Sequence, residues 1–325
     1  MDYLLPGYVI GDYVIVEQIG SGAFSTVYRA RHTAGRFDAA LKLISKHTNI
    51  EGAHQLYENE VKVLKMAQDF PFVVHFYEAF EIPSFFVISM EFLENGSVAD
   101  SIYQFNSKSG FIDIEPLKIF NQMIAAIDFL HNTLHIIHCD IKSENVMLDA
   151  SGNARLSDFG LAKIFDPENE DKIEQVAGSL KAIAPEQFKR GYTCPKSDLW
   201  SAGILLYELV YNKLPYNDNC MTSLAKKIMY QGLHFPADSP NAHLLGSANS
   251  SACSSARSNA CSSANSSACS SARSNSSSND GTPKFSCDVD KRREEIKDLI
   301  TEMLQKDPKE RISYQDILDH PCMIY

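Results

Sequence analysis

Hydrophobic positions recur along this chain with two different periods, and the change falls near Asn95-Gly96. Before it, the runs VIGDYVIVEQI, TVYRARH and FDAALKLI alternate or run apolar with β-branched residues, separated by glycine and polar turns. That pattern predicts strands. One helix interrupts them, because over His54–Ala67 the residues Tyr57, Val61 and Leu64 fall at helical spacing, with Val63 and Ala67 widening the stripe. Strand character returns at Phe85–Phe92. After Asn95-Gly96 the pattern turns helical. Pro116–His131 opens with Glu115-Pro116 and carries Leu117, Phe120, Ile124 and Ile127 on one face. Ser197–Tyr211 is apolar on most sides, as a buried helix is, while Lys291–Gln305 and Ser313–Asp319 are amphipathic. A small β-rich part followed by a larger helical part predicts an α+β chain of two lobes with a cleft between them.

One stretch has neither period. Gly246–Gly281 contains no Val, Ile, Leu, Met, Phe, Tyr or Trp, and its run SSACSSARSN at Ser250–Asn259 returns at Ser266–Asn275. Such a segment cannot offset its ordering entropy by apolar burial, so it is expected to be a disordered insert, either a plain expanded loop or a partner-binding arm. The remainder, in a chain 44% hydrophobic and 22% charged, has enough apolar material for a core.

Charge and cysteines narrow the classes. With 30 Lys+Arg against 41 Asp+Glu, the net charge of −11 argues against broad binding to a nucleic-acid backbone. No apolar run is long enough to insert across a membrane, and the acidic start MDYLLPGYVIGDY lacks the basic region of a secretory signal. Five of the eight cysteines are scattered without a C-x-x-C pair and the other three lie in the repeat, so reduced thiols are expected in place of a disulfide framework or zinc site. An intracellular protein, cytoplasmic or nuclear, is the expectation.

Three groups of residues carry candidate chemistry. Gly20-Ser21-Gly22-Ala23-Phe24-Ser25-Thr26-Val27 lies between two strand-like runs, where glycines let backbone N–H groups approach a phosphate; taken alone, a plain hairpin is the better reading, because Gly-Ser-Gly turns are common. Lys42 sits inside the apolar run Ala39–Ile44, where its charge is costly unless paired, and Glu60 on the following helix is the obvious partner. The alternative is a strand lysine pointing to solvent. Finally, His138-Cys139-Asp140-Ile141-Lys142-Ser143-Glu144-Asn145 is followed by Asp158-Phe159-Gly160. Asn145 and Asp158 offer hard oxygens suited to magnesium, Asp140 could accept a proton from an attacking hydroxyl, and Lys142 could neutralise a moving phosphoryl group.

Together with Ala184-Pro185-Glu186, Asp198-Leu199-Trp200-Ser201-Ala202-Gly203 and the late Arg311, these motifs in this order resemble a eukaryotic-type serine/threonine protein kinase domain across Tyr13–Met323. The resemblance implies a small lobe over Tyr13–Phe92, a larger one over Gly96–Met323, and the Gly246–Gly281 insert within the latter. It implies that Ile19–Val27 covers the phosphates of ATP, that Lys42 binds them while held by Glu60, and that adenine lies between Ala40 and Met147. Backbone groups near Glu91 and Leu93 would meet the base, and Met90 would guard the back of the pocket. Asp140 would be the catalytic base, assisted by Lys142, with Asn145 and Asp158 holding Mg2+. Lys142 in Asp-Ile-Lys-Ser-Glu-Asn resembles the serine/threonine-specific form of this loop, which implies protein substrates with serine or threonine acceptors. A pseudokinase scaffold and a small-molecule kinase are the alternatives, and a regulatory partner is allowed but not identified.

Two departures bear on control. Cys139 stands where most members of that family carry an arginine that receives an activating phosphate, and between Asp158 and Glu186 the only hydroxyl residue is Ser179. Activity without phosphorylation of that segment is therefore expected. Ser25 replaces the last loop glycine, and Ala182 replaces a frequent aromatic beside the substrate. Glu144 and Glu208 match positions that can receive basic substrate residues, whereas Ser97 lacks the acid some relatives use.

Overall fold

The alternating runs of the N-terminal part pair into one six-stranded antiparallel sheet. Its strands are β1 (Val9–Ile10), β2 (Tyr13–Ser21), β3 (Ser25–His32), β4 (Asp38–Ser45), β5 (Phe76–Glu81) and β6 (Phe85–Glu91), in the order β1-β2-β3-β4-β6-β5. The computed structural model describes residues 4–22, 25–47, 52–107, 115–168, 172–174, 176–236 and 285–323. The repeat insert, Ala23 and Phe24 lie outside these.

Strand β4 is buried along nearly its whole length, so its two faces serve different cores. Ala39, Leu41 and Leu43 pack with Tyr13, Ile15, Tyr28, Ala30 and Val87 on one side. Ala40 and Ile44 belong to the main core, together with Leu64, Ile88 and Met90. The two-residue period puts Lys42 on the Ala40 and Ile44 face, in register with Val27 on β3 and Ile88 on β6. Helix α1 (Ala53–Ala67) packs on that face through Tyr57, Val63 and Leu64.

The larger lobe contains α2 (Val98–Ser107), α3 (Pro116–Asp128), α4 (Pro185–Arg190), α5 (Pro195–Tyr211), α6 (Met221–Tyr230), α7 (Phe285–Met303) and α8 (Tyr314–Leu318). Proline stands at the start of α3, α4 and α5, where its missing N–H costs nothing. Helix α5 is buried from Ser197 through Tyr207, as its all-round apolar character requires, with Trp200 stacked on Tyr216. Each such fully buried large side chain contributes about 1.5–3 kcal/mol. The predicted helix at Pro116–His131 changes its winding before its end: α3 passes into a π-helical turn at Phe129–Thr133.

Short strands frame the cleft: β7 (Ile136–Ile137) with β10 (Lys163–Ile164), and the hairpin of β8 (Val146–Leu148) with β9 (Ala154–Leu156). The hairpin also ties the lobes together, since Leu156 donates to the Phe72 carbonyl at 2.8 Å and accepts from Val74 N–H at 3.0 Å. The expected two-lobed α+β arrangement is present. Strand β5 and helices α2 and α4 were not anticipated, being short. No helix among the described residues is long and apolar enough to cross a membrane.

Candidate active site

Lys42 does not point into solvent. Its Nζ lies 2.7 Å from both carboxylate oxygens of Glu60 and 2.7 Å from Asp158 Oδ1. Glu60 interrupts the buried face of α1, and a carboxylate there is tolerable only with such a partner. Burial works against the Lys42 charge, but Glu60 and Asp158 outweigh it and raise its pKa. The Lys42 ammonium, ahead of an opposing burial effect, holds the Asp158 carboxyl down at about 2. Asp158 has a left-handed backbone (φ 63°), and Phe159 beside it is fully buried edge-on to His138, with ring centroids 4.9 Å apart.

The loop around Asp140 is held from below. Asp198, on the first turn of α5, accepts from His138 N–H at 2.7 Å and Cys139 N–H at 3.0 Å, and lies 2.9 Å from His131 Nε2. These contacts account for a buried carboxylate and for the left-handed Cys139 (φ 69°). Asp140 in turn receives Lys142 Nζ at 2.7 Å, Asn145 Nδ2 at 3.0 Å and Ser179 N–H at 2.8 Å. Gly178 has φ 113°, and a Cβ there would collide with the Cys139 carbonyl oxygen, so the segment before Ser179 lies flat on the loop.

A cavity of about 580 Å³ opens between the lobes, a size suited to a small-molecule ligand. Its lining includes Ile19, Gly20, Ser21, Gly22, Ser25, Val27, Ala40, Lys42, Glu60, Met90, Glu91 and Leu93 from the small-lobe side, with Lys142, Asn145, Met147 and Asp158 from the other. Thr26 is not part of it, because strand alternation turns it to the face opposite Ser25 and Val27. Asp140 is not a lining residue either; it stands behind Lys142, which is. Val27, Ala40, Met90, Leu93 and Met147 give an apolar region suited to a flat base, and Lys42, Lys142, Asn145 and Asp158 a charged one suited to phosphates. Asn145 uses its Nδ2 on the Asp140 carbonyl and carboxylate, which leaves Oδ1 as a hard donor alongside Asp158. That donor set fits magnesium held jointly with phosphate oxygens.

The sequence pattern of the protein kinase domain matches residues 13–323. The chain belongs to the protein kinase family. Among similar proteins, CBL-interacting serine/threonine-protein kinase 21 of Arabidopsis thaliana is 32% identical over 229 residues, 70% of this chain and 53% of that protein. CBL-interacting protein kinase 5 of Oryza sativa subsp. japonica is 30% identical over 227 residues, 69% and 48% of the two chains. Serine/threonine-protein kinase SIK2 of Gallus gallus is 30% identical over 230 residues, 70% of this chain and 28% of that protein. The aligned part thus spans about half the length, or less, of these curated relatives.

In this kinase domain a second, smaller cavity adjoins the first through Lys142. Glu144, Ser179, Lys181, Ala182, Glu208 and Leu214 contribute to its lining. Burial pushes the Glu208 carboxyl up, as does Glu144, while Ser143 and Lys181 pull it down. Ser97 and Asp100, at the head of α2, line the nucleotide-sized cavity and were missed as site residues. Their signal was present in Ser97-Val98-Ala99-Asp100: Ser97 N–H donates to Asp100 Oδ2 at 2.9 Å and Asp100 N–H to Ser97 Oγ at 3.1 Å.

Proposed function

We propose that this domain transfers the γ-phosphoryl group of ATP to serine or threonine hydroxyls of proteins. One arrangement carries the reading: the Lys42–Glu60–Asp158 cluster, closed by contacts of 2.7 Å, shares a cavity with Lys142 and Asn145, both bonded to Asp140. Bound Mg2+ and ATP would supply the transferable phosphoryl group and neutralise its charge. Lys42 would hold the non-transferred phosphates. Asp140 would orient the acceptor hydroxyl and take its proton, and Lys142 would offset charge on the moving group. Asn145 and Asp158 would hold the metal. With every one of these groups present, turnover is favoured over a scaffold role.

Substrates would be proteins, received beside Ser179 and the small cavity. Glu144 and Glu208 favour a basic residue there, and Lys181 tempers that preference. Activity would not require phosphorylation between Asp158 and Glu186. Cys139 is buried and brings no cation, and Ser179, bonded to Asp140, stands where a phosphate would obstruct the acceptor. Control would then fall to abundance, to the insert or to a partner. Two of the relatives are named for interaction with CBL, which makes a regulatory partner reasonable here too. The unpaired thiols among the described residues support a location inside the cell, in cytoplasm or nucleus.

The test uses the full chain made in bacteria, incubated with labelled ATP, magnesium and basic, neutral and acidic serine peptides. Transfer to peptide, retained after phosphatase treatment verified by mass spectrometry, is the expected result. Nucleotide binding without transfer would sink the catalytic reading. Loss of activity that tracks removal of phosphate from the Asp158–Glu186 segment would sink the control reading alone.

A further inference from the structure

Asn59 stands immediately before Glu60 on α1 and is half-buried. Successive helix residues are turned by about 100°, so the two side chains leave α1 in different directions. Glu60 reaches Lys42 on β4. Asn59 reaches the chain just beyond Asp158: its Nδ2 donates to the Ala162 carbonyl at 2.8 Å and lies 3.3 and 3.4 Å from the carbonyl oxygens of Phe159 and Gly160. Asp158, at the head of that stretch, bonds Lys42 as well. The result is a closed loop of contacts, from Lys42 through Glu60 to α1, through Asn59 to the Asp158–Ala162 stretch, and back to Lys42.

From this geometry we infer that Asn59 is a positioning residue for phosphoryl transfer: it fastens α1 to the Asp158–Ala162 stretch and so assembles Lys42, Glu60 and Asp158 without help from a phosphate. The inference rests on the proposed kinase activity and adds the device by which that activity escapes phosphorylation. A turn or outward swing of α1 would break the Asn59 and Glu60 contacts together, so each strengthens the other. Three backbone carbonyls converge on Nδ2. A leucine of similar shape would leave them facing a methyl group with no donor, and a carboxylate would be repelled by them. Removing the donor shifts the population toward arrangements in which Glu60 is parted from Lys42.

The experiment compares the full chain with Asn59→Asp, Asn59→Leu and Asn59→Gln, each also made with Glu60→Gln. Thermal midpoints are recorded beside peptide phosphorylation and the equilibrium affinity for Mg-ATP. Asn59→Asp and Asn59→Leu should lower kcat/KM for ATP roughly tenfold, the scale of one well-placed hydrogen bond to a convergent acceptor set. Their affinity for Mg-ATP should fall in parallel, with the thermal midpoint little changed. Asn59→Gln, which keeps the donor, should recover part of the loss. With Glu60→Gln already present, changing Asn59 should add almost nothing, because the contact it supports is gone. Retention of wild-type kcat/KM and affinity by Asn59→Leu would overturn the inference. So would an equal loss in both backgrounds, which marks a generic packing role. If the parent chain binds Mg-ATP but transfers no phosphoryl group, the activity reading fails, and the affinity comparison still decides the role of Asn59.

Discussion

Arg311 and Glu186 meet through two hydrogen bonds of 2.9 Å, Nη1 to Oε1 and Nη2 to Oε2, although 125 residues separate them in the chain. Both are buried, Ser197 Oγ also donates to Glu186 Oε1 at 2.9 Å, and the guanidinium lies 5.2 Å from the centre of the Trp200 ring. The pair pins the first turn of α4, and with it the end of the segment that carries Ser179, to the chain beyond α7. Removing the cation alone should leave a buried, uncompensated carboxylate. Arg311→Ala is therefore expected to lose about 3–5 kcal/mol of stability in urea unfolding. Glu186→Gln should lose somewhat less: it strips the buried guanidinium of its counter-charge, but keeps an acceptor for it and leaves its bonds to the Lys196 and Gln305 carbonyls in place.

Asp140→Asn should separate binding from chemistry. The variant keeps the shape that Lys142, Asn145 and Ser179 surround, and nucleotide affinity comes from cavity residues that do not include Asp140. Mg-ATP affinity should stay within a few-fold of the parent, while phosphoryl transfer falls by about a hundredfold or more. Full activity in this variant would remove Asp140 from its assigned role.

Lys42→Met should abolish turnover and change the acid behaviour of Asp158. With Lys42 present, the Asp158 carboxyl sits at about 2, below the roughly 3.9 of an unfolded aspartate. A depressed carboxylate stabilises the fold above the unfolded value, and the contribution is lost as pH falls toward the folded one. Stability should thus be insensitive to Asp158 from pH 6 to 8 and decline on its account only between about pH 4 and 2. In Lys42→Met that contribution to the decline should shrink, read by circular dichroism during acid titration. An unchanged acid limb would show that Lys42 does not hold the carboxyl down.

The insert is expected to be dispensable for folding and catalysis. Gly246–Gly281 falls in sequence between α6 and α7, whereas every residue lining the nucleotide-sized cavity precedes Lys163. Each doubling of loop length changes closure cost by only about 0.6 kcal/mol, so a short Gly-Ser replacement should leave the unfolding midpoint and kcat close to those of the full chain. An unfolded or inactive product would contradict this.

The chemistry of the site was legible where a polar residue broke an apolar pattern or stood in a dense motif. Lys42 within β4, Glu60 on the buried face of α1, and Asp140, Asn145 and Asp158 in their loops all advertised themselves in this way. Asn59 did not, because a half-exposed asparagine on a helix is unremarkable until the carbonyls of Phe159, Gly160 and Ala162 are seen around it. The contact of His131 with Asp198 joins residues 67 apart and has no local trace. Strand β5 was obscured because Glu78 and Glu81 break its apolar pattern. Thr26 was included with the glycine loop by proximity in sequence, whereas strand alternation turns its side chain away from the cavity that Ser25 and Val27 line.

The π-helical turn at Phe129–Thr133 has a bearing on chain length. It accommodates one more residue than regular winding would allow, and it presents His131 to Asp198 just before β7 and the Asp140 loop begin. Deleting one residue of this turn would restore ordinary winding, whereas adding a further one would rotate all that follows by about 100°. Asp198 would then lose His131, and the loop carrying Asp140 would be delivered at the wrong angle. Point substitutions in this turn should therefore be better tolerated than a one-residue insertion. Between Pro116 and Asp140 the chain behaves as a measured spacer, counted in residues.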